Sequence, residues 1–171
     1  SNKDKSDKKT ETTTNTSTRH TTEDTEEDTE KYTEEDNDVK ETASVLGVSF
    51  EIPEGYVIDE ESSGDDSLTY VHQYDATAFL ISVDNKNYAE EDTVFDAFNT
   101  QILSVFGEQC TSSTVYYNDY TATEWNIDAA DGSYDGRSMI ICDGTMLIYV
   151  EYVTYYGTLD DYKELVESIT Y

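Results

Sequence analysis

The chain has 171 residues and a formal net charge of −29, which arises from 39 acidic and only 10 basic residues. After residue 42 the only basic residues are Lys86, Arg137 and Lys163. A surface this acidic repels phosphate backbones and anionic lipid headgroups, so the composition argues against nucleic-acid binding and against direct association with such lipids. The same charge attracts cations and basic partners, although a solvated acidic surface without a partner has the same composition.

The N-terminal segment has the composition of an unfolded linker. It consists mostly of Thr, Glu, Asp, Lys and Asn, and before Ala43 its only hydrophobic side chains are Tyr32 and Val39. Such a segment cannot bury enough apolar surface to offset the entropy of ordering. We therefore predict a disordered, acidic, Thr-rich linker over residues 1–43 and a single globular domain over residues 44–171.

A polar Thr/Glu/Lys spacer before one globular domain resembles the spacers of Gram-positive bacterial surface lipoproteins. In that family the spacer follows an acylated cysteine, which would lie upstream of Ser1. No apolar run in the sequence approaches the length of a membrane span. The resemblance implies an extracellular domain held at the outer face of the cell membrane, with the membrane contacted only through the lipid anchor.

The first half of the domain has strand patterns followed by one helical pattern. Alternating apolar residues and turn signals predict strands over residues 45–52, 56–58, 68–74 and 78–83. A helical stripe follows, with a cap at Asp92 or Thr93 and a stop at Gly107. The stripe consists of Val94, Phe95, Phe98, Ile102, Val105 and Phe106.

The second half repeats this order around an apolar hairpin. Strands are predicted over residues 110–117 and 120–129, with Trp125 facing the core. Residues 137–153 then form two apolar runs around Asp143-Gly144, a typical type I′ hairpin signal. Both side-chain sets of this hairpin are apolar, which places it in the middle of a sheet that is covered on both faces. A final helix, capped by Thr158, buries a stripe that consists of Leu159, Tyr162, Leu165, Val166 and Ile169.

This order of four strands, a helix, four strands and a helix predicts an α+β fold. The short connections favour antiparallel pairing. One helix on each face would cover an apolar central sheet, so we expect a three-layer α/β/α sandwich with a mostly antiparallel sheet and one main helix on each face.

The opening of the domain resembles the start of PsbP-like domains. The segment Phe50-Glu51-Ile52-Pro53-Glu54-Gly55-Tyr56 is similar to their Phe-x-hydrophobic-Pro-x-Gly-aromatic motif, and the long final hairpin followed by a helix is similar to their end. The resemblance extends roughly from Val45 to Tyr171 and identifies the domain as a PsbP-like domain of a surface lipoprotein. It implies fold rather than activity, and it carries over no functional residue.

Few residues in the sequence suggest catalysis or metal binding. His72 is the only histidine of the domain and has no nucleophile motif beside it, so we interpret it as a structural strand residue. The acidic loop from Asp128 to Gly136 departs from the EF-hand template and is interpreted as a hairpin loop, with a weak calcium site as the alternative. Cys110 and Cys142 either form one disulfide or are two buried thiols. We predict no catalytic residue, no metal site and no cofactor.

Tyrosine is the one unusual enrichment, with 15 in the chain. Tyrosine is common at recognition surfaces, and it is equally common in sheets. The clusters that we predict as ligand-binding are Tyr116, Tyr117, Tyr120, Tyr152, Tyr155 and Tyr156. The sequence thus favours a non-enzymatic cell-surface binding or accessory module with an unknown protein or glycan partner. The alternative is a glycan or peptidoglycan hydrolase that uses an acidic pair.

Overall fold

The computed structural model describes residues 40–85 and 91–171. These residues form a seven-stranded antiparallel sheet, a separate two-stranded sheet and two helices. In chain order the elements are β1 (Thr42–Val45), β2 (Val48–Glu51), β3 (Tyr56–Ile58), β4 (Ser67–His72), β5 (Thr77–Asp84), α1 (Glu91–Phe106), β6 (Thr111–Tyr117), β7 (Tyr120–Asn126), β8 (Asp135–Cys142), β9 (Leu147–Thr154) and α2 (Asp160–Glu167).

The strands of the large sheet follow the order β3-β4-β5-β9-β8-β7-β6, so the β8–β9 hairpin lies at its middle. Met139 and Ile148 are fully buried, and both faces of the hairpin are packed against apolar side chains. β8 and β9 pair antiparallel, as do the other neighbouring strands of the sheet, which confirms the predicted antiparallel pairing. The hairpin turn differs from the predicted type I′ turn, because Asp143 lacks a positive φ and Cys142 pairs with Leu147 across a four-residue loop.

The loop is held by a single carboxylate. Asp143 Oδ1 accepts hydrogen bonds from the backbone N–H groups of Thr145 (2.8 Å) and Met146 (2.9 Å). An aspartate that accepts a hydrogen bond from the backbone two residues on forms an Asx turn, which stabilises this four-residue loop.

One face of the sheet is covered by α2 together with the β1–β2 hairpin. Leu165 and Val166 of α2 and Val48 and Phe50 of β2 are all buried in the same apolar cluster. The backbone groups of Ser49 and Thr170 exchange two hydrogen bonds, of 2.8 and 2.9 Å, which tie the chain after α2 to the free edge of β2.

The β1–β2 hairpin replaces the single strand that we predicted over residues 45–52. Val45 pairs with Val48, and the two residues between them have positive φ, 47° at Leu46 and 89° at Gly47. Two such residues make the type I′ turn of a tight hairpin. Leucine rarely adopts this conformation, so its presence gave no turn signal in the sequence.

The other face carries α1 over part of its area. Ile102 is buried and Trp125 is fully enclosed beneath the helix, where its ring stacks on Phe95 at a centroid distance of 5.6 Å. The indole N–H donates to Asn99 Oδ1 (3.0 Å). Val105, which we placed in the buried stripe, is 65% exposed.

The predicted three-layer α/β/α sandwich with one main helix on each face is wrong. The chain is mostly sheet, and α2 has only eight residues. A helix of that length is about 12 Å long, whereas seven strands span about 29 Å. The short helix cannot form a layer by itself, and the β1–β2 hairpin completes the cover on its face.

Smaller differences concern the ends of elements. β1 begins at Thr42, so the ordered domain starts two residues before the predicted boundary, and the remainder of the predicted linker up to residue 39 lies outside the described residues. The predicted caps Asp92 and Thr93 lie inside α1. Neither described helix is long and apolar enough to cross a membrane.

Candidate functional site

Some of the predicted tyrosines lie beneath α2 and bond within the protein. Tyr120 and Tyr152 are buried. The hydroxyl of Tyr120 donates to the carbonyl of Val166, and that of Tyr152 donates to the carbonyl of Thr158 at 2.8 Å. Both bonds hold the backbone of α2 or of the turn that leads into it, so we assign these tyrosines to packing and leave them out of the candidate site.

Tyr117 belongs to the same buried group through Glu124. One oxygen of that carboxylate accepts hydrogen bonds from the hydroxyls of Tyr117 (2.8 Å) and Tyr162 (2.6 Å). The other oxygen lies 3.9 Å from Nε of Arg137. Burial, reinforced by the Glu124 carboxylate, holds the pKa of Tyr162 far above the usual tyrosine value. The hydroxyl therefore stays neutral and donates to Glu124 over the ordinary pH range.

The remaining predicted tyrosines are exposed, but the structure does not bring them together. Tyr116 is 80% exposed on β6, close to the turn into β7. Tyr155 and Tyr156 follow the last residue of β9, which pairs with the first residue of β8 at the opposite end of the sheet. Only Tyr155 and Tyr156 can therefore share a surface.

We call that end of the sheet, with its aromatic side chains, the tyrosine rim, and define it by Tyr74, Tyr134, Tyr155 and Tyr156. Three connections meet there, because Thr154 at the end of β9 pairs with Thr77 on one side and Asp135 on the other. Tyr74 and Tyr156 are each 85% exposed. The rings of Tyr134 and Tyr155 contact each other at a centroid distance of 5.7 Å.

The backbone beneath the tyrosine rim is fixed by a compact polar contact. Thr154 Oγ1 lies 2.7 Å from Thr77 Oγ1 and accepts a hydrogen bond from the backbone N–H of Gly157 at 2.7 Å. A Cβ at position 157 would stand 2.6 Å from Thr154 Oγ1, so the close approach requires glycine. The exposed tyrosines thus project from a rigid base, which reduces the entropy lost on binding.

Sequence reasoning missed two tyrosines of the rim. Tyr74 was placed at the end of the strand predicted over residues 68–74, but β4 ends at His72, which leaves Tyr74 in the turn. Tyr134 lies in the loop that was considered for calcium. A tyrosine directly before the Asp75-Ala76-Thr77 turn was the available signal, because an aromatic residue in a turn has no sheet neighbours to pack against.

An acidic groove adjoins the rim, between the β2–β3 connection and α2. This cavity of about 630 Å³ is lined by the carboxylate residues Glu41, Glu54, Asp161 and Glu164, together with Lys40, Ile52, Pro53, Gly55, Tyr56 and Gln73. Gln73 lines the groove and directly precedes Tyr74, so this part of the groove lies next to one tyrosine of the rim. Asp161 Oδ2 accepts the hydroxyl of Tyr56 at 3.1 Å, which fixes one carboxylate on the groove wall.

Lys40 is the one basic residue of the groove lining. Its ammonium group lies 3.1 Å from Glu164 and 3.2 Å from Glu51. These exposed ion pairs contribute little to stability. The four carboxylates outnumber this single cation, so the groove keeps a negative potential and disfavours anionic ligands.

His72 is a packing residue with one charged neighbour. Its ring packs on Tyr56 at a centroid distance of 5.1 Å, and its Nδ1 lies 3.2 Å from Asp75 Oδ1. That oxygen is buried and accepts no hydrogen bond from the described residues. An Nδ1–H group would donate to it in either the neutral or the charged ring, and the contact is an ion pair only in the charged ring.

The acidic loop considered for calcium uses its carboxylates internally. Asp128 Oδ1 accepts from the Gly136 N–H and from Nη1 of Arg137, both at 2.8 Å. Burial pushes the pKa of Asp128 up, but these two partners outweigh it and the pKa is lowered. Asp131 Oδ1 accepts from the Ser133 N–H at 3.0 Å. Over residues 40–85 and 91–171, no group of three or more His, Cys, Asp or Glu side chains could hold a metal ion.

The two cysteines lie on the α1 side of the sheet. Cys110 is buried and Cys142 is half-buried, both within or against the apolar cluster beneath α1, and the structure contains no disulfide between them. Burial raises the pKa of the Cys110 thiol, which keeps it protonated and unreactive.

Comparison with known proteins gives the fold alone. No protein-family model matches the chain, and no curated protein matches it in sequence. Among solved structures, a crystal structure at 1.50 Å resolution of a protein from Bacteroides thetaiotaomicron is similar, with a TM-score of 0.52 and 13% sequence identity. The match covers 72% of this chain and 44% of that one, so the chain spans less than half of its structural neighbour. The likeness supports the arrangement of strands and helices and assigns no function.

Proposed function

We propose that this protein is a non-enzymatic binding module, displayed at the cell surface, that recognises a glycan through the tyrosine rim and the adjoining acidic groove. The observation that carries the proposal is the exposure of Tyr74, Tyr155 and Tyr156 at one rigid end of the sheet. The composition of residues 1–43, which resembles a lipoprotein spacer, supports the location outside the cell.

The chemistry of the surface fits a neutral polar ligand. Flat tyrosine rings pack against the apolar faces of sugar rings. Tyrosine hydroxyls donate and accept hydrogen bonds, and the groove carboxylates accept them from sugar hydroxyls. The negative potential of the groove disfavours phosphorylated or sulfated polymers. A neutral glycan such as the peptidoglycan backbone meets both conditions.

Two carboxylates beside the rim, Asp128 and Asp131, have the wrong character for the general acid of a hydrolase. A glycoside hydrolase needs a general acid whose pKa is raised, so that it carries a proton at neutral pH. Asp128 and Asp131 border the rim, and the pKa of each is lowered, that of Asp131 by hydrogen bonds from Ser133. These two groups are ionised at neutral pH, which favours binding over cleavage.

The test measures binding and cleavage in one experiment. Purified peptidoglycan sacculi, stripped of anionic polymers, are mixed with the protein, and the bound fraction is determined by sedimentation. We expect saturable binding without release of reducing ends. The triple variant Tyr74→Ala/Tyr155→Ala/Tyr156→Ala should bind at least about tenfold more weakly, since a few exposed aromatic residues carry most of the affinity of such surfaces.

Tyr116→Ala is the matched control, because Tyr116 is also largely exposed but lies at the other end of the sheet. It should leave binding unchanged. Absence of binding by the unaltered protein would contradict the glycan proposal, and equal binding by the triple variant would remove the rim from the site. Release of reducing ends would show the hydrolase instead.

A further inference from the structure

Strand β6 forms an exposed edge of the large sheet. Within the described part of the chain it pairs only with β7, so its outer side has no strand beside it. Residues 111–114 are exposed, and Tyr116 is 80% exposed. An edge strand presents a row of N–H and C=O groups that can template another strand.

The outward groups can be assigned from the hairpin geometry. Tyr117 pairs with Tyr120 across the two-residue turn Asn118-Asp119, and in such a hairpin the closing pair exchanges backbone hydrogen bonds. Because this pattern alternates along an antiparallel strand, Ser112, Thr114 and Tyr116 direct their backbone groups away from β7.

This edge lacks the features that prevent strand addition. Proteins protect exposed edges by shortening them or by placing charged residues or proline in them. The opposite edge follows that rule, since β3 has only three residues. By contrast β6 has seven residues, Thr-Ser-Ser-Thr-Val-Tyr-Tyr, with no charge and no proline, in a chain of which 29% is charged.

We propose that β6 is a docking strand, to which an extended, cationic segment of a partner polypeptide adds as a further antiparallel strand. Main-chain hydrogen bonds along Ser112, Thr114 and Tyr116 would supply the affinity. The charge of the partner follows from the ends of the strand, where Glu108 and Asp119 are both exposed. A segment with an uncharged middle and lysine or arginine at both ends matches this pattern, and the net charge of −29 attracts it at long range.

The same charges disfavour a second copy of this chain as the occupant. A two-fold antiparallel pairing centred on Thr114 places Glu108 of one copy and Asp119 of the other in the turns at the same end of the interface, at both ends. Like charges gathered at each end of the interface repel each other and disfavour the pairing. Two acidic domains also repel each other at a distance.

The probe is a synthetic nonapeptide, Lys-Lys-Thr-Val-Thr-Val-Thr-Lys-Lys, with blocked ends. We expect saturable binding by fluorescence anisotropy, and slower amide exchange at Ser112, Thr114 and Tyr116 by nuclear magnetic resonance. The amides of Ser113 and Val115 already face β7 and should change less. This alternation is specific to strand addition, since purely electrostatic association would not produce it.

Matched peptides separate the contribution of main-chain hydrogen bonds from the contribution of charge. A fully N-methylated peptide of the same sequence keeps its charge but cannot pair, and should bind at least about tenfold more weakly. The peptide with glutamate in place of lysine should not bind. Equal binding of the methylated peptide would overturn the proposal, because affinity would then come from charge alone.

On the protein side, Thr114→Pro removes an outward N–H group while leaving the pairs with β7 in place, and should weaken binding at least about tenfold. Its melting curve serves as the folding control, and the methylated peptide tests the same point on the unaltered protein. The rim variant Tyr74→Ala/Tyr155→Ala/Tyr156→Ala should bind the peptide normally, so the docking strand and the glycan site can fail independently. A concentration-dependent dimer in sedimentation, abolished by Thr114→Pro, would overturn the proposal by identifying a second copy as the occupant.

Discussion

The tyrosines beneath α2 and the tyrosines of the rim are the same residue type in opposite environments. Tyr152 is 1% exposed and donates its hydroxyl to a backbone carbonyl, whereas Tyr156, four residues later, is 85% exposed. In the first group the ring fills the core and the hydroxyl anchors a helix. In the second, the rings of Tyr74 and Tyr156 are largely free of packing and are available to a ligand. Tyrosine enrichment therefore indicates a recognition surface only when the buried tyrosines are left out of the count.

The largest effect should come from truncating a buried tyrosine. Tyr152→Ala leaves a cavity among Phe79, Val150 and their neighbours in the apolar cluster and removes the bond to Thr158. We expect a loss of about 3–5 kcal/mol in the free energy of unfolding, measured by urea denaturation with circular dichroism. A loss below about 1 kcal/mol would place this tyrosine with the exposed group.

A smaller loss should follow from removing one hydroxyl. Tyr162→Phe keeps the ring but takes away the 2.6 Å hydrogen bond to Glu124, which then retains Tyr117 as its hydroxyl donor. Leaving a half-buried carboxylate underbonded should cost about 1–3 kcal/mol. Tyr74→Phe is the control, because its ring and hydroxyl are exposed, and it should be neutral. Equal effects of both substitutions would show that the Glu124 contact contributes nothing.

Alkaline pH should lower the stability of the protein by ionising the buried Tyr152. Burial raises the pKa of Tyr152 to about 12, with the Tyr56 hydrogen bond opposing and Asp161 adding to the shift. A tyrosine in the unfolded chain ionises at about pH 10. The stabilisation from the neutral form is therefore complete below about pH 10 and is lost as pH rises towards about 12.

Urea midpoints at pH 8, 10 and 11, with tyrosinate absorbance at 295 nm, measure this loss. The urea midpoint should fall between pH 10 and 11, and it should fall less steeply with pH in Tyr152→Phe. Unchanged midpoints over that interval would mean that the buried hydroxyls ionise as easily in the folded as in the unfolded chain.

The smallest effect on stability should come from the rim. Tyr156→Ala removes an exposed ring and should change the free energy of unfolding by less than about 0.5 kcal/mol. The same urea titration measures it. A loss of several kcal/mol would show that Tyr156 packs in solution, and the contrast between the two groups would disappear.

The middle of the sheet could be predicted from sequence, and its edges and cover could not. The apolar runs of β8 and β9 leave no face for solvent, so their central position follows from composition alone. The β1–β2 hairpin was missed because Leu46 adopts a positive φ that its side chain disfavours, and residues 45–52 otherwise alternate as one strand. That omission removed part of the cover over one face and led to the sandwich prediction.

The candidate site was predictable only in part. Tyr155 and Tyr156 follow an apolar strand and precede Gly157, a combination that marks a turn and hence exposure. Tyr117, Tyr120 and Tyr152 have the same local pattern of strand and turn residues, and the partners that bury Tyr117 and Tyr120 beneath α2, Tyr162 through Glu124 and Val166, are brought to them only by the tertiary fold. Such long-range contacts have no signal in a single sequence.

The most direct test of the contrast between the two groups of tyrosines is hydroxyl-radical footprinting with and without peptidoglycan sacculi, read at each tyrosine by mass spectrometry. In the free protein, Tyr74, Tyr116 and Tyr156 should be oxidised and Tyr152 and Tyr162 should be protected. Binding should protect Tyr74 and Tyr156 and leave Tyr116 reactive. Protection of Tyr116 with an unchanged rim, or oxidation of Tyr152 in the free protein, would contradict the account.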